Sequence, residues 1–258
     1  MTNSVDPLLS VRGVTVRFGG IVALDGVSFD VRRGDVCGLI GPNGAGKTTL
    51  FNCLSRLYQY QAGDILFEGR SITNTPTHQI AGMGMGRTFQ NLAMFRTMPV
   101  RENVMVGAHC RSSAGFLSSA LRLPRVSAEE ARLRDKARKI MDDLDLTRFQ
   151  DRPVGDLPFG IQKRVEFARA LAAEPKLLLL DEPAAGLRHH EKQALAGVLR
   201  QLKSEGMSLL LVEHDMDFVM GLADRVVVME FGTKLMEGTP AEVQASPEVR
   251  AAYLGTEH

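Results

Sequence analysis

The segment Gly41-Pro42-Asn43-Gly44-Ala45-Gly46-Lys47-Thr48 constrains this chain more than any other stretch. It fits G-x-x-x-x-G-K-[ST], follows a short apolar run from Val36 to Ile40 and precedes a helix-compatible run from Thr49 to Leu57. Strand, glycine-rich turn and helix start, in that order, make a cradle for phosphate. Glycines let successive backbone N–H groups converge on phosphate oxygens, and the helix N-terminus adds partial positive charge. Lys47 brings a full charge to the β- and γ-phosphates of a nucleotide, and Thr48 offers a hydroxyl to Mg²⁺. The bland alternative is a glycine-rich turn that binds nothing, and the complete pattern in this context disfavours it.

Leu177-Leu178-Leu179-Leu180-Asp181-Glu182 is an apolar strand that ends in two carboxylates. Ligands of open α/β sheets bind at the carboxyl ends of the strands. There Asp181 can hold Mg²⁺, and Glu182 is placed to accept a proton from an attacking water. Solvated acids at an ordinary strand end are the alternative, weakened by the phosphate cradle.

The remaining pattern predicts an α/β chain. Val36 to Ile40 suits a strand buried on both faces. Leu9, Val11, Val14, Val16 and Phe18 alternate around an interrupting Gly13, Val27, Phe29 and Val31 alternate again, and Ile65 and Phe67 lie between glycine-bearing turns. The last third reads strand (Leu177 to Leu180), helix (about His190 to Lys203), strand (Leu209 to Val212), helix (Asp215 to Leu222), strand (Val226 to Met229). That alternation predicts parallel strands. A helical insertion from about Leu92 to Glu174 splits the core. In it, Ser127-Ala128-Glu129-Glu130 has capping-box spacing, and Leu133, Ala137, Ile140, Met141 and Leu144 recur at helical intervals. Gly115 to Pro124 reads as an irregular connection, and Pro240 to Leu254 as short helices with no readable role.

Composition excludes several classes. With 44% hydrophobic and 24% charged residues, the chain is neither disordered nor collagen-like. Thirty-one Lys and Arg against thirty Asp and Glu leave a net charge of +1, which gives nucleic acid no basic surface. No apolar run approaches the roughly 18 residues of a membrane span. Met1 to Asp6 lacks the layout of a secretion signal. Cys37, Cys53 and Cys110 have no C-x-x-C spacing and predict free thiols in the cytoplasm.

Other segments carry a family resemblance. Leu157-Pro158-Phe159-Gly160-Ile161-Gln162-Lys163-Arg164 and the following Val165 to Leu171 resemble the signature region of ABC-transporter ATPases. Gln90 in Gly86-Arg87-Thr88-Phe89-Gln90-Asn91 resembles their Q-loop, Ala184-Ala185-Gly186-Leu187 their D-loop, and His214 in Glu213-His214-Asp215 their switch histidine. Phe18 falls where the family places an aromatic ring against adenine. The elements follow the family's order over nearly the whole chain. Glu102 to Gly107, Asp181 to Leu187, Glu213 to Met216 and Ala252 to Gly255 are similar to the branched-chain amino acid uptake ATPases, the LivG type, with urea- and amide-uptake ATPases as close relatives.

The resemblance implies an α/β P-loop NTPase core with a parallel sheet, an N-terminal antiparallel β subdomain and a helical insertion. One ABC ATP-binding domain would cover residues 6–258, with its core at about 6–91 and 175–258 and a helical subdomain at about 92–174. It implies ATP hydrolysis with Mg²⁺ in a head-to-tail homodimer or heterodimer, on the cytoplasmic face of the membrane. Two integral membrane permease subunits and, indirectly, an extracytoplasmic solute-binding protein would complete an importer of a small polar solute. Branched-chain amino acids are the first expectation. A urea or amide importer, or a soluble ABC ATPase outside transport, is the alternative. A P-loop kinase would leave the signature segment and His214 unexplained.

Residue by residue, the implied nucleotide contacts are Phe18, Gly41, Pro42, Asn43, Gly44, Ala45, Gly46, Lys47, Thr48 and Thr49, with Pro158, Phe159 and Gly160 contributed by the opposite chain. Lys47, Gln90, Glu182 and His214 would be catalytic, and Thr48, Gln90 and Asp181 would hold the metal. Phe18 has a competing reading as a core residue at a strand end. The signature departs from Leu-Ser-Gly-Gly-Gln at Pro158, Phe159 and Ile161, and Pro158 also suits a helix start. Leu92, Met94, Phe95, Met98, Pro99 and Val100 make an apolar stretch that would either receive a membrane subunit or pack the insertion.

Overall fold

The computed structural model describes residues 6–88, 94–108 and 124–254. Gln90, Leu92, Cys110 and Gly255 lie outside the described residues, as does most of the expected connection before Pro124. The strands are β1 (Leu9–Phe18), β2 (Ile21–Val31), β3 (Val36–Ile40), β4 (Ala62–Phe67), β5 (Arg70–Ser71), β6 (Met85–Arg87), β7 (Leu177–Asp181), β8 (Ser208–Val212), β9 (Arg225–Glu230) and β10 (Thr233–Gly238). The helices are α1 (Lys47–Leu54), α2 (Thr77–Met83), α3 (Val100–Ala108), α4 (Pro124–Asp143), α5 (Phe159–Ala172), α6 (His189–Ser204), α7 (Met216–Met220), α8 (Pro240–Ala245) and α9 (Pro247–Leu254). The chain divides into two compact units, Met1–Ile80 with Leu177–His258, and Ala81–Lys176.

The first unit holds two sheets. One is antiparallel, in the order β2-β1-β4-β5. The break at Gly13 is a register shift between Val11 and Val14 in the β1–β2 pairing. Gly13 has φ 59, and its N–H donates to Ser28 Oγ at 2.8 Å, so the extra residues bulge without an orphaned donor. The other sheet runs β10-β9-β3-β8-β7 within this unit, parallel except for the β10 edge. Every residue of β3, β7 and β8 is buried, as their apolar runs require.

Register then fixes where function can lie. Leu39 pairs with Val212, and Val212 pairs with Asp181. The three parallel strands therefore end together, and Gly41, Glu182 and Glu213 leave the sheet at one edge.

Helix α1 stops at Leu54, short of the expected Leu57, for a local reason. Arg56 N donates to Cys53 O at 3.0 Å and Leu57 N to Asn52 O at 2.8 Å, with Arg56 at φ 57. This is the Schellman arrangement, with arginine at the left-handed position that glycine normally takes.

The second unit is mainly helical. Gly107 lets α3 approach α5 closely: a Cβ there would lie 1.9 Å from Arg169 O. Helix α4 begins at Pro124, upstream of the expected cap at Ser127, as a proline at a first helical position allows. Its apolar stripe faces inward: Ala137, Met141 and Leu144 are buried. Residues 96–101 and 150–155 run side by side, joined by Gly155 N to Arg96 O (2.8 Å), Val154 N to Met98 O (3.1 Å) and Val100 N to Arg152 O (3.1 Å). Asn103, fully buried, closes this loop. Its Oδ1 accepts from Phe95 N at 3.0 Å, and its Nδ2 donates to Phe95 O and Met98 O at 3.0 and 3.1 Å. Of the apolar stretch, Val100 belongs to the core, Phe95 is exposed, and Met94, Met98 and Pro99 are half-buried.

Candidate nucleotide site

The loop after β3 is shaped by two glycines that no other residue could replace without strain. Gly41 has φ 153, and a Cβ there would lie 2.1 Å from Met229 O. Gly46, at φ 97, caps α1, and its Cβ would meet Ala23 O at 2.6 Å. The loop is braced from outside: Gly232 N donates to Ala45 O at 3.2 Å, and Asp25 N to Gly232 O at 2.8 Å. Asn43, Gly44 and Thr48 face solvent, and Thr49 is half-buried behind them.

Lys47 is only 6% exposed. Its Nζ donates to Gly41 O at 2.6 Å and to Pro42 O at 2.9 Å. Burial pushes its pKa down, and the Glu182 carboxylate opposes this. The ammonium thus holds the loop in shape and is electrostatically under-compensated, a state that an arriving anion relieves.

Asp181 ends β7 at 2% exposure, and Glu182 follows in a left-handed conformation with φ 49. Such a backbone is costly for a side chain of this size and marks functional turns. Glu182 N donates to Val212 O at 3.0 Å, and Glu182 Oε1 lies 3.1 Å from His214 Nε2. The expected base and the expected switch residue are therefore in contact. Asp215 begins α7: its Oδ1 accepts from Phe218 N at 3.1 Å, and its Oδ2 pairs with Lys192 Nζ at 2.5 Å. Carboxyl oxygens from Asp181 and a hydroxyl from Thr48 are the donor types that suit a hard divalent cation.

Phe18 is 46% exposed, so it is not a core residue. It ends β1 and meets Tyr58 edge-on, with ring centroids 5.3 Å apart. Nearly half of the side chain is open to solvent, and aromatic rings of this kind can stack on a planar partner.

Two residues escape sequence reasoning. Glu213 is 3% exposed; its Oε1 accepts from Ala184 N at 2.6 Å and its Oε2 from His214 N at 3.2 Å. One buried carboxylate joins the turn after Glu182 to the strand end carrying His214. Tyr253, in the C-terminal helix, is bonded by the Gly41 backbone, and burial pushes its phenol up to about 12. Their only sequence signal is a place inside motif-like stretches.

Burial also pushes the Glu213 carboxyl up, backbone N–H groups of Ala184, His214 and Asp215 pull it down, and the Glu182 charge raises it; the net shift is upward. A raised folded pKa gives stability that is complete below the unfolded value and is lost as pH rises through the folded one. Glu213→Gln is expected to flatten that decline. Thermal melts from mildly acidic to neutral pH test this, and an unchanged slope would remove Glu213 as its source.

In the helical unit, Pro158 caps α5 with φ −55 and ψ 149 and no side-chain hydrogen bond, and Phe159 is exposed with Lys163 Nζ 5.8 Å from its ring centre. The Pro158 carbonyl accepts from Ile161 N and Gln162 N at 2.9 and 3.0 Å. Gly160 lies in the first turn, where backbone N–H groups lack intrahelical partners.

Residues 24–185 match the family model described as ABC transporter, and residues 233–258 match that of the branched-chain amino acid ATP-binding cassette transporter. The chain belongs to the ABC transporter family, as a nucleotide-binding ATPase. Within it, the chain is 42% identical to the high-affinity branched-chain amino acid transport ATP-binding protein BraF of Pseudomonas aeruginosa, over 96% of this chain and 98% of that protein. It is 40% identical to LivG of Escherichia coli K12 over the same shares. Among solved structures, the ADP conformation of an ATP-binding cassette of an ABC transporter matches with a TM-score of 0.85 and 34% identity, covering 97% of this chain and 99% of that one. A nucleotide-free cassette matches with a TM-score of 0.82 and 33% identity, covering 96% and 99%. The expected fold class agrees with these likenesses. Among the described residues, no helix is long and apolar enough to cross a membrane.

Proposed function

We propose that this chain is the ATP-hydrolysing subunit of a branched-chain amino acid importer and works on the cytoplasmic face of the membrane. The observation that carries the reading is the common strand edge, where Lys47, Asp181, Glu182 and His214 converge, with Glu182 and His214 in contact at 3.1 Å. Likeness to BraF and LivG along nearly the whole chain supports the solute class.

In this account the residues 41–49 wrap the phosphates and Phe18 carries adenine. Lys47 turns from the loop carbonyls to the β- and γ-phosphates. Thr48 and Asp181, with Gln90, would hold Mg²⁺, which would supply charge neutralisation on the phosphates. Glu182 accepts the proton of the attacking water. His214 hydrogen-bonds the γ-phosphate and otherwise rests on Glu182, so phosphate loss is registered at the base. Glu213 keeps the two at a fixed separation. Two chains, identical or paired with a second ABC ATPase, meet head to tail, and each presents Pro158, Phe159 and Gly160 to the other's nucleotide. The whole of residues 6–258 acts as one ABC ATP-binding domain. Its helical part, through exposed Phe95 and the loop fixed by Asn103, receives one of two membrane permease subunits.

Co-purification with candidate membrane subunits, followed by solute-stimulated hydrolysis in liposomes, tests the reading. Leucine, isoleucine or valine is expected to stimulate; stimulation by urea or amides alone would move the chain to that group. Pro158→Ser supplies a side-chain hydroxyl where the helix cap has none. It is expected to raise ATPase activity of the assembly several-fold, on the order of 1 kcal/mol of added anion or cap contact. An unchanged or lower rate in the assembly counts against a missing γ-phosphate contact.

A further inference from the structure

We propose that the cavity at the C-terminal end of α1 is a second anion site, built on Arg56, which binds a phosphate group. The cavity measures about 440 Å³ and is lined by Arg56, Gln59, Tyr60, Thr73, Asn74 and Thr75. Nine positions along the chain from Lys47, it lies at the opposite end of a helix about 10 Å long. It is therefore distinct from the nucleotide loop.

Three observations converge on it. Arg56 occupies the left-handed position of a Schellman turn at φ 57, where glycine is favoured. Its guanidinium lies over the Tyr60 ring, 5.4 Å from the ring centre. Its Nε is buried with no hydrogen-bond partner, and among the described residues it makes no ion pair. A buried guanidinium donor without a partner is unfavourable unless something absent from the chain completes the site.

The surroundings indicate what completes it. Asp64 does not: its carboxylate accepts from Ser71 Oγ at 2.6 Å, Thr73 Oγ1 at 2.8 Å and Ile65 N at 2.8 Å. The Thr73 and Tyr60 hydroxyls are tied to each other at 2.6 Å. Gln59, Asn74 and Thr75 line the same cavity as Arg56, and their amides and hydroxyl are neutral donors. A planar fork of N–H donors with amide and hydroxyl donors beside it matches a multi-oxygen anion of phosphate type. The group can come from a free phosphate compound or from a phospholipid headgroup.

The test uses the full chain saturated with ADP, so that the nucleotide loop is occupied. Inorganic phosphate is titrated while the Arg56 Nε–H resonance is followed, and binding to phosphatidylcholine vesicles is compared with binding to vesicles containing phosphatidylglycerol. Arg56→Gly removes the guanidinium and relieves the backbone, and Arg56→Asn is a second variant that tolerates the same conformation. Both are expected to fold, to hydrolyse ATP as the parent does and to lose affinity about tenfold or more. A saturable response to phosphate without vesicle preference identifies a free phosphate compound. Arg56-dependent preference for the anionic vesicles identifies a headgroup. No saturable response in the parent chain together with equal vesicle binding by parent and variants would overturn the proposal.

Discussion

Glu182→Gln is expected to lower ATP turnover by about 10²- to 10⁴-fold, the usual contribution of a general base, while ATP still binds. Glutamine keeps the size of the side chain and can still hydrogen-bond His214 Nε2, 3.1 Å away in the parent. The turn at φ 49 is set by Glu182 N on Val212 O and by Ala185 N on Glu182 O at 3.1 Å, neither of which involves the side chain. What is lost is proton acceptance and one negative charge. That charge sits close enough to Lys47 to raise its pKa. Its removal also lessens repulsion of the γ-phosphate, so affinity for ATP is expected to hold or tighten. Single-turnover hydrolysis with nucleotide binding measured in parallel decides the matter. Near-normal hydrolysis would remove Glu182 as the base.

Lys47→Ala is expected to fail at the earlier step. The ammonium is held between two loop carbonyls, at 2.6 and 2.9 Å, and burial already disfavours its charge. Exchanging those carbonyls for phosphate oxygens replaces charge–dipole contacts with charge–charge ones. Charge-assisted bonds of this kind contribute about 1.5–3 kcal/mol, so ATP affinity should fall roughly 10- to 100-fold. Arginine should not rescue it, because a planar guanidinium does not fit a site built for a compact ammonium. The readout is the rise in melting temperature on adding ATP, large for the parent and nearly absent for the variant. An equal rise in both would mean that the phosphates do not reach Lys47.

Much of the sheet was legible because its signal is local. The run Val36 to Ile40 is β3 itself, and Leu177 to Leu180 and Leu209 to Val212 each needed one more residue. Buried parallel strands are apolar without interruption, and that is visible in any window. β10 was missed: Thr233–Gly238 is a half-exposed edge strand in which lysine and glutamate interrupt the pattern. Helix α7 is shorter than expected, ending at Met220 before Gly221. The glycine-rich loop after β3 and the two acids at the end of β7 stand out in the sequence as motifs, because each is a fixed local spacing. Glu213, Tyr253 and Asn103 were not. Each acts through partners distant in sequence or through main-chain groups: Ala184 lies 29 residues from Glu213, and Asn103 bonds only backbone atoms. Main-chain partners leave no trace in residue identity.

The head-to-tail arrangement is the claim on which the mechanism rests. The most direct measurement is ATPase activity per chain across a dilution series, with mass by light scattering on the same samples, for the chain alone and with a candidate second ABC ATPase. Activity per chain is predicted to fall as the associated form dissociates, and to fall again when inactive Lys47→Ala chains are mixed in. A strictly monomeric sample that hydrolyses ATP at the full rate would contradict it.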